Sequence, residues 1–125
     1  MKLLLDCHIK SAASAALEHL CPGVDIAHIA DWQGGDFRAA ADNDILLACS
    51  KDGRVFVTYD QRTIPGLLRR WAATEKSHAG VIFGDVDSVP PNNPGAVAAA
   101  LCSWLNEIST AADMTNIVRF LKARR

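Results

Sequence analysis

Three aspartates carry the chemistry this sequence suggests. Asp6 ends the apolar run Leu3-Leu4-Leu5, Asp60 ends the run from Val55 to Tyr59, and Asp42 opens the segment leading into that second run. Carboxylates gathered at one edge from distant parts of a chain repel each other, and a hard divalent cation between them relieves the repulsion. Mg²⁺ takes a few carboxylates and keeps waters for a phosphate, so the pattern points to metal-assisted phosphodiester chemistry. The same positions also suit plainer roles, with Asp42 as a helix N-cap and Asp6 and Asp60 as polar strand ends. Asp44, in the first turn of the same helix, either joins the metal or simply favours the helix dipole.

Thr58 lies near the end of the second run, where its hydroxyl can orient a carboxylate or water; a β-branched residue is also an ordinary strand former. Arg62, with Thr63 beside it, and His8, just past Asp6, are the candidate substrate contacts. A guanidinium holds a phosphate bidentately, and equally neutralises an internal acid such as Asp60 or Asp42. His19, His28 and His78 have no ligand spacing. Trp32 beside Gly34 and Gly35 is the one tryptophan placed to stack on a base, while Trp71 and Trp104 read as packing residues.

Elements must bring those residues together. Lys2–Asp6 is a short apolar run without polar alternation, which suits a strand covered on both faces. Ser11 to Leu20 has helical spacing, stopped by Cys21-Pro22-Gly23, and Val24–Ile29 follows as a strand. Asp31 to Phe37 is a glycine-rich loop. Asp42 heads a helix ended by Lys51-Asp52-Gly53, before the strand Arg54–Tyr59. Ile64 to Lys76 is amphipathic with Pro65 in its first turn, Gly80–Gly84 is a fourth strand, and Ala96 to Ile108 is an alanine-rich helix. Met114 to Arg125 is expected to form a last basic helix, whose Ile117, Phe120 and Leu121 offer an apolar stripe for a homodimer. Arg69, Arg70, Arg119, Lys122, Arg124 and Arg125 are candidate phosphate or partner contacts. The alternation predicts one α/β domain over residues 1–125, with three layers, a mostly parallel sheet of about four strands, and helices on both faces.

Half of the 125 residues are hydrophobic and 22% are charged, which supports a real core and excludes a disordered chain. With 13 Lys and Arg against 14 Asp and Glu, no global basic field exists, so nucleic-acid contacts must be local. Cys7, Cys21, Cys49 and Cys102 form no CxxC pair and read as free core thiols. The apolar run at the N-terminus stops at Asp6, too early for a signal peptide or membrane anchor, and the expected compartment is the cytoplasm.

Leu3-Leu4-Leu5-Asp6, Asp42-Asn43-Asp44-Ile45-Leu46 and Val57-Thr58-Tyr59-Asp60-Gln61-Arg62-Thr63-Ile64-Pro65, in that order, resemble the PIN-like family, in particular its short DUF5615 branch of toxin components. The resemblance runs from about Lys2 to Phe83. It implies a PIN-like sheet and a Mg²⁺- or Mn²⁺-dependent ribonuclease, often a toxin restrained by a small antitoxin, with Asp6, Asp42 and Asp60 as metal ligands and Asp44 and Thr58 assisting. Two departures thin the acid set: the segment before Asp42 is short and has no clear counterpart of the further acid the family normally supplies there, and Arg62 stands where a second acid is common after the third strand.

A phosphoacceptor receiver domain fits less well, because Asp6 is followed by Cys7 and His8 rather than by an acid pair. A haloacid-dehalogenase-type phosphatase lacks its second Asp in Asp60-Gln61-Arg62-Thr63. The alternative to a nuclease is a catalytically inactive PIN-like module that binds an antitoxin or nucleic acid.

Overall fold

A computed structural model describes residues 1–108 and 112–123. The strands are β1 (Lys2–Leu5), β2 (Asp25–His28), β3 (Arg54–Thr58), β4 (Val81–Phe83) and β5 (Val118–Phe120). The helices are α1 (Ala12–Leu20), α2 (Asp42–Asp52), α3 (Ile64–Ala73) and α4 (Pro94–Glu107). The strands form one all-parallel sheet in the order β2-β1-β3-β4-β5.

Side-chain alternation along buried strands builds two cores. Leu3, Leu5, Val55, Val57 and Ile82 face one side, where Ala13 and Leu17 of α1 meet Val97 and Leu101 of α4. Leu4, Phe56, Val81 and Phe83 face the other, against Ile45 and Leu46 of α2 and Ile64 and Trp71 of α3. The result is the three-layer α/β architecture expected, with helices on both faces. Its element ends follow local chemistry. Gly53 takes the left-handed conformation (φ 66°) that closes α2, its N–H donating to the carbonyls of Cys49 and Ser50. Asn93 accepts from Ala96 N–H to cap α4, and Pro94 follows in its first turn.

The structure corrects the sequence reading in several places. The sheet has five strands rather than about four. The fifth, β5, lies where a basic helix was expected, because Val118 and Phe120 extend the sheet by pairing with β4; Arg124 and Arg125 lie outside the described residues. Among the apolar residues offered for a homodimer, Leu121 is buried, Ile117 packs against the core, and Phe120 is exposed and stacks on Phe83. Asp42 is the first residue of α2, with Ala41 in the cap position, which leaves its carboxylate free to turn elsewhere.

The cysteines and Trp32 also differ. Only Cys49 is a free core thiol; Cys7 is exposed, and Cys21 and Cys102 form a disulfide. The close packing of α1 against α4 brings the latter two Cα atoms to 6.0 Å across 81 residues of sequence. Trp32 is buried under the Arg54 guanidinium and beside Phe37, so it is a core residue rather than a stacking platform. No helix among the described residues is long and apolar enough to cross a membrane.

Candidate active site

From β1 the chain leaves to β2 on one side, and β3 pairs on the other, so strand order reverses at β1. Crossovers to opposite faces open a crevice beyond the carboxyl ends of strands at such a point. Asp6 directly follows β1 and Asp60 comes two residues after β3, while the start of α2 delivers Asp42 from the neighbouring layer.

Asp6 is buried and held from two directions. Its Oδ1 accepts from Cys7 N–H at 2.7 Å, and its Oδ2 accepts from the fully buried Thr58 hydroxyl at 2.6 Å. That hydroxyl oxygen in turn accepts from Asp60 N–H at 3.1 Å, so Thr58 ties the ends of β1 and β3 together. The chain then turns sharply: Ile9 N–H donates to the Asp6 carbonyl at 3.0 Å, and His28 Nε2 bonds the Ile9 carbonyl at 2.6 Å. Since His28 Nδ1 accepts from Ala30 N–H, the proton sits on Nε2, and the imidazole pins the turn carrying Cys7 and His8.

Asp60 Oδ1 accepts from the N–H groups of Arg62 and Thr63, both at 3.0 Å, which fixes the entry to α3. Its Oδ2 accepts from the Thr63 hydroxyl, and that hydroxyl also faces Asp42 Oδ2 at 3.2 Å. One hydroxyl has one proton, so it satisfies one of these two carboxylates at a time. Burial pushes the Asp42 carboxyl above the usual range, and the charges of Asp60 and Asp6 add to this against the Thr63 hydrogen bond. Asp60 goes the other way: burial raises it, but the Thr63 hydroxyl and the N–H groups of Thr63 and Arg62 outweigh that and lower it.

His8 Nδ1 lies 3.8 Å from Asp6 Oδ2, and when protonated it also steadies Asp42 and Asp60. The Arg62 side chain is exposed and enters none of the ion pairs formed among the described residues, so it does not neutralise the acids. Asp44 is exposed on the first turn of α2, without a hydrogen bond or ion pair to the other acids among the described residues.

Asp6, Asp42, Asp60, Thr58, Thr63 and His8 thus converge, whereas Asp44 and the Arg62 guanidinium stay at the rim. Sequence reasoning missed the bracing residues. His28 has no motif to mark it. Tyr59 packs its ring so closely on Gly84 that any side chain there would collide with it, and its hydroxyl donates to the Val89 carbonyl at 2.6 Å. Gln61 donates to the Gly84 carbonyl at 3.0 Å and holds the Asp60 loop against β4. Cys7 continues an apolar run and so reads as core in the sequence, but the turn at Asp6 exposes it.

Oxygen donors dominate this cluster, which suits a hard divalent ion, and Asp42 and Asp60 share one proton donor where a cation would satisfy both. Among the described residues the one group of three donors whose ligand atoms stand within 4.8 Å of one another is Asp6, Cys7 and His8; Asp60 is tied to Asp6 through Thr58, and Asp42 to Asp60 through Thr63. Compared with known proteins, the chain matches no protein family, no curated protein and no solved structure.

Proposed function

We propose that this protein is a metal-dependent ribonuclease of PIN-like type, the cytoplasmic toxin of a toxin–antitoxin pair held in check by a small antitoxin. The observation that supports the reading is the chain of contacts through Thr58 and Thr63 that links Asp6, Asp60 and Asp42 at the switch point of a parallel sheet, with no Lys or Arg paired to them among the described residues. The family resemblance rests on the three motifs.

Asp6, Asp42 and Asp60 would hold Mg²⁺ or Mn²⁺, which at such a site makes bound water acidic and offsets charge on the phosphate. The residues of the chain do the rest. Thr58 fixes the Asp6 carboxylate, and the turn leading into α3 fixes Asp60, so both present constant geometry without reorganising. Thr63 sets the spacing of Asp42 and Asp60. The free Arg62 guanidinium is available to a phosphate of the RNA backbone. Beyond the Asp60 loop, a groove of about 560 Å³ lined by Gln61, Asp85, Ser88, Phe120 and Lys122 offers a single strand an exposed aromatic ring and a cation.

The engagement of both Asp60 oxygens by Arg62 and Thr63, in the turn leading into α3, favours a second reading, in which Asp60 is a structural brace of that turn and the domain binds a partner without cutting. Incubating a mixed RNA pool with Mg²⁺, Mn²⁺ or EDTA separates the two. The nuclease reading expects metal-dependent cleavage that falls at least ~100-fold in folded Asp6→Asn and Asp60→Asn variants, as for loss of a group stabilising the transition state. A folded wild type that neither cuts nor gains thermal stability from metal establishes the binding module instead.

A further inference from the structure

The turn after β1 carries donors that a Mg²⁺ site has no use for. One ligand atom each of Asp6, Cys7 and His8 lies within 4.8 Å of the other two. We propose that this turn makes the metal site selective for a borderline transition ion of the Co²⁺ or Zn²⁺ class over Mg²⁺, with Cys7 Sγ and a His8 ring nitrogen coordinating beside the Asp6 carboxylate. This rests on the metal-site reading above and departs from it in the ion, placing a later transition ion where that reading has Mg²⁺ or Mn²⁺.

Donor chemistry is the first argument. Mg²⁺ demands oxygen ligands in near-octahedral geometry, so a thiol and an imidazole at its edge add nothing to its binding. Thiolate and imidazole donors favour the later first-row divalent ions, and a mixed oxygen, nitrogen and sulfur set is the combination that separates them from Mg²⁺.

Geometry is the second. In a four-coordinate site with metal–ligand distances of about 2.0–2.3 Å, ligand atoms stand roughly 3.3–3.8 Å apart. The His8 Nδ1 to Asp6 Oδ2 separation is 3.8 Å, already at that spacing. Cys7 and His8 are exposed, so small side-chain rotations bring their donors in without disturbing the core. The backbone beneath them is fixed at both ends, by Ile9 N–H on the Asp6 carbonyl and by His28 on the Ile9 carbonyl. Asp6 itself is locked by Thr58 and Cys7 N–H. A preorganised buried ligand with two exposed neighbours describes a site closed toward the protein and open toward solvent, the arrangement of catalytic rather than structural zinc. The Cys7 thiol would bind as thiolate, releasing its proton to solvent.

Co²⁺ is the probe, since it reports its ligands by colour. Titrated into the purified chain, it should give ligand-field bands together with a thiolate-to-cobalt charge-transfer band. Cys7→Ser should abolish the charge-transfer band, and both Cys7→Ser and His8→Gln should lower the ratio of Co²⁺ to Mg²⁺ affinity by at least about 10-fold, since losing a direct ligand costs no less than losing a group that merely orients one. Far-UV circular dichroism checks that each variant is folded, and thermal shift gives the Mg²⁺ affinity. A wild-type Co²⁺ spectrum without the charge-transfer band, or an affinity ratio unchanged in both variants, overturns the proposal. If Co²⁺ gives no thiolate band while Mg²⁺ supports RNA cleavage, this inference alone fails. If the band appears and no metal supports cleavage, the site stands and the nuclease reading falls.

Discussion

The two edges of the sheet use the same residue types to opposite ends. At the edge where the strands begin, the Arg54 side chain, only 7% exposed, donates to the Leu3 carbonyl, to Asp25 and to Asp52, each at 2.9 Å. Lys2 adds an ion pair with Asp52 at 3.3 Å, and the Arg54 guanidinium lies over the Trp32 ring. Two cations meet two anions. At the opposite edge, where Asp6, Asp42 and Asp60 lie, the one ion-pair contact to these acids among the described residues is that of His8 with Asp6. The first edge is electrostatically closed and holds the strands in register. The second is left short of positive charge, and that deficit is what a metal ion can fill.

Removing the cation from the closed edge should have the largest effect. Arg54→Ala strands a buried carbonyl, leaves Asp25 without its partner and uncovers Trp32. A loss of about 2–4 kcal/mol is expected, below the full cost of a completely buried pair because both acids are partly exposed. Arg54→Lys should recover only part of it, since one ammonium cannot span three acceptors in a plane. Urea denaturation measures both. A loss under ~0.5 kcal/mol for Arg54→Ala would mean that surface-like pairs hold this edge, and the contrast between the edges would fail.

At the open edge, Thr58→Val tests whether the acids are held in place by protein groups. Valine keeps the shape while deleting the donor to buried Asp6 and the acceptor for Asp60 N–H. Stability should fall by about 1–2 kcal/mol, the cost of underpaired buried polar groups. The rise in melting temperature on adding Mn²⁺ should shrink with it, because Asp6 loses its fixed orientation. An unchanged response to metal alongside the lost stability would confine Thr58 to a role in the fold.

How much of this was legible in the sequence depends on whether a residue's role is local. The acids at the ends of β1 and β3 follow apolar runs, so Asp6 and Asp60 could be placed at one sheet edge from pattern alone. Asp42 is legible at the right helix start, but of its two readings the cap goes to Ala41, and the contact with Thr63 crosses 21 residues that no local pattern reveals. Non-local features stayed hidden. β5 is three residues long and exists by pairing with β4, and the Cys21–Cys102 bridge depends on α1 packing against α4. Arg54 reads in sequence as one more charge at a strand start. It is central because Asp25 and Asp52 arrive beside it from other elements.

The smallest expected effect has the opposite sign from the others and bears most directly on the charge deficit. Asp42 sits at the first position of α2, where the helix dipole favours an acid by roughly 0.3–1 kcal/mol. Its pKa is nevertheless raised, by burial first and by Asp60 and Asp6 after it, so the unfavourable contributions win. A carboxyl with a raised folded-state pKa contributes stability below its unfolded pKa, and that contribution is lost as pH rises through the folded value. At neutral pH ionised Asp42 therefore works against folding, and Asp42→Asn in EDTA should raise the melting temperature by about 1–4 °C. The gain should disappear as the pH falls below about 4, where the wild-type carboxyl is neutral as well. Asp60→Asn should show the reverse, a loss at neutral pH that fades in acid, because its lowered pKa stabilises the fold above the ordinary value and ceases to as pH falls through the lowered one. Saturating Mn²⁺ should erase the advantage of Asp42→Asn by stabilising the wild type alone. If Asp42→Asn instead melts lower at pH 7 in EDTA, the dipole and the Thr63 contact outweigh the repulsion, and the open edge is as well compensated as the closed one.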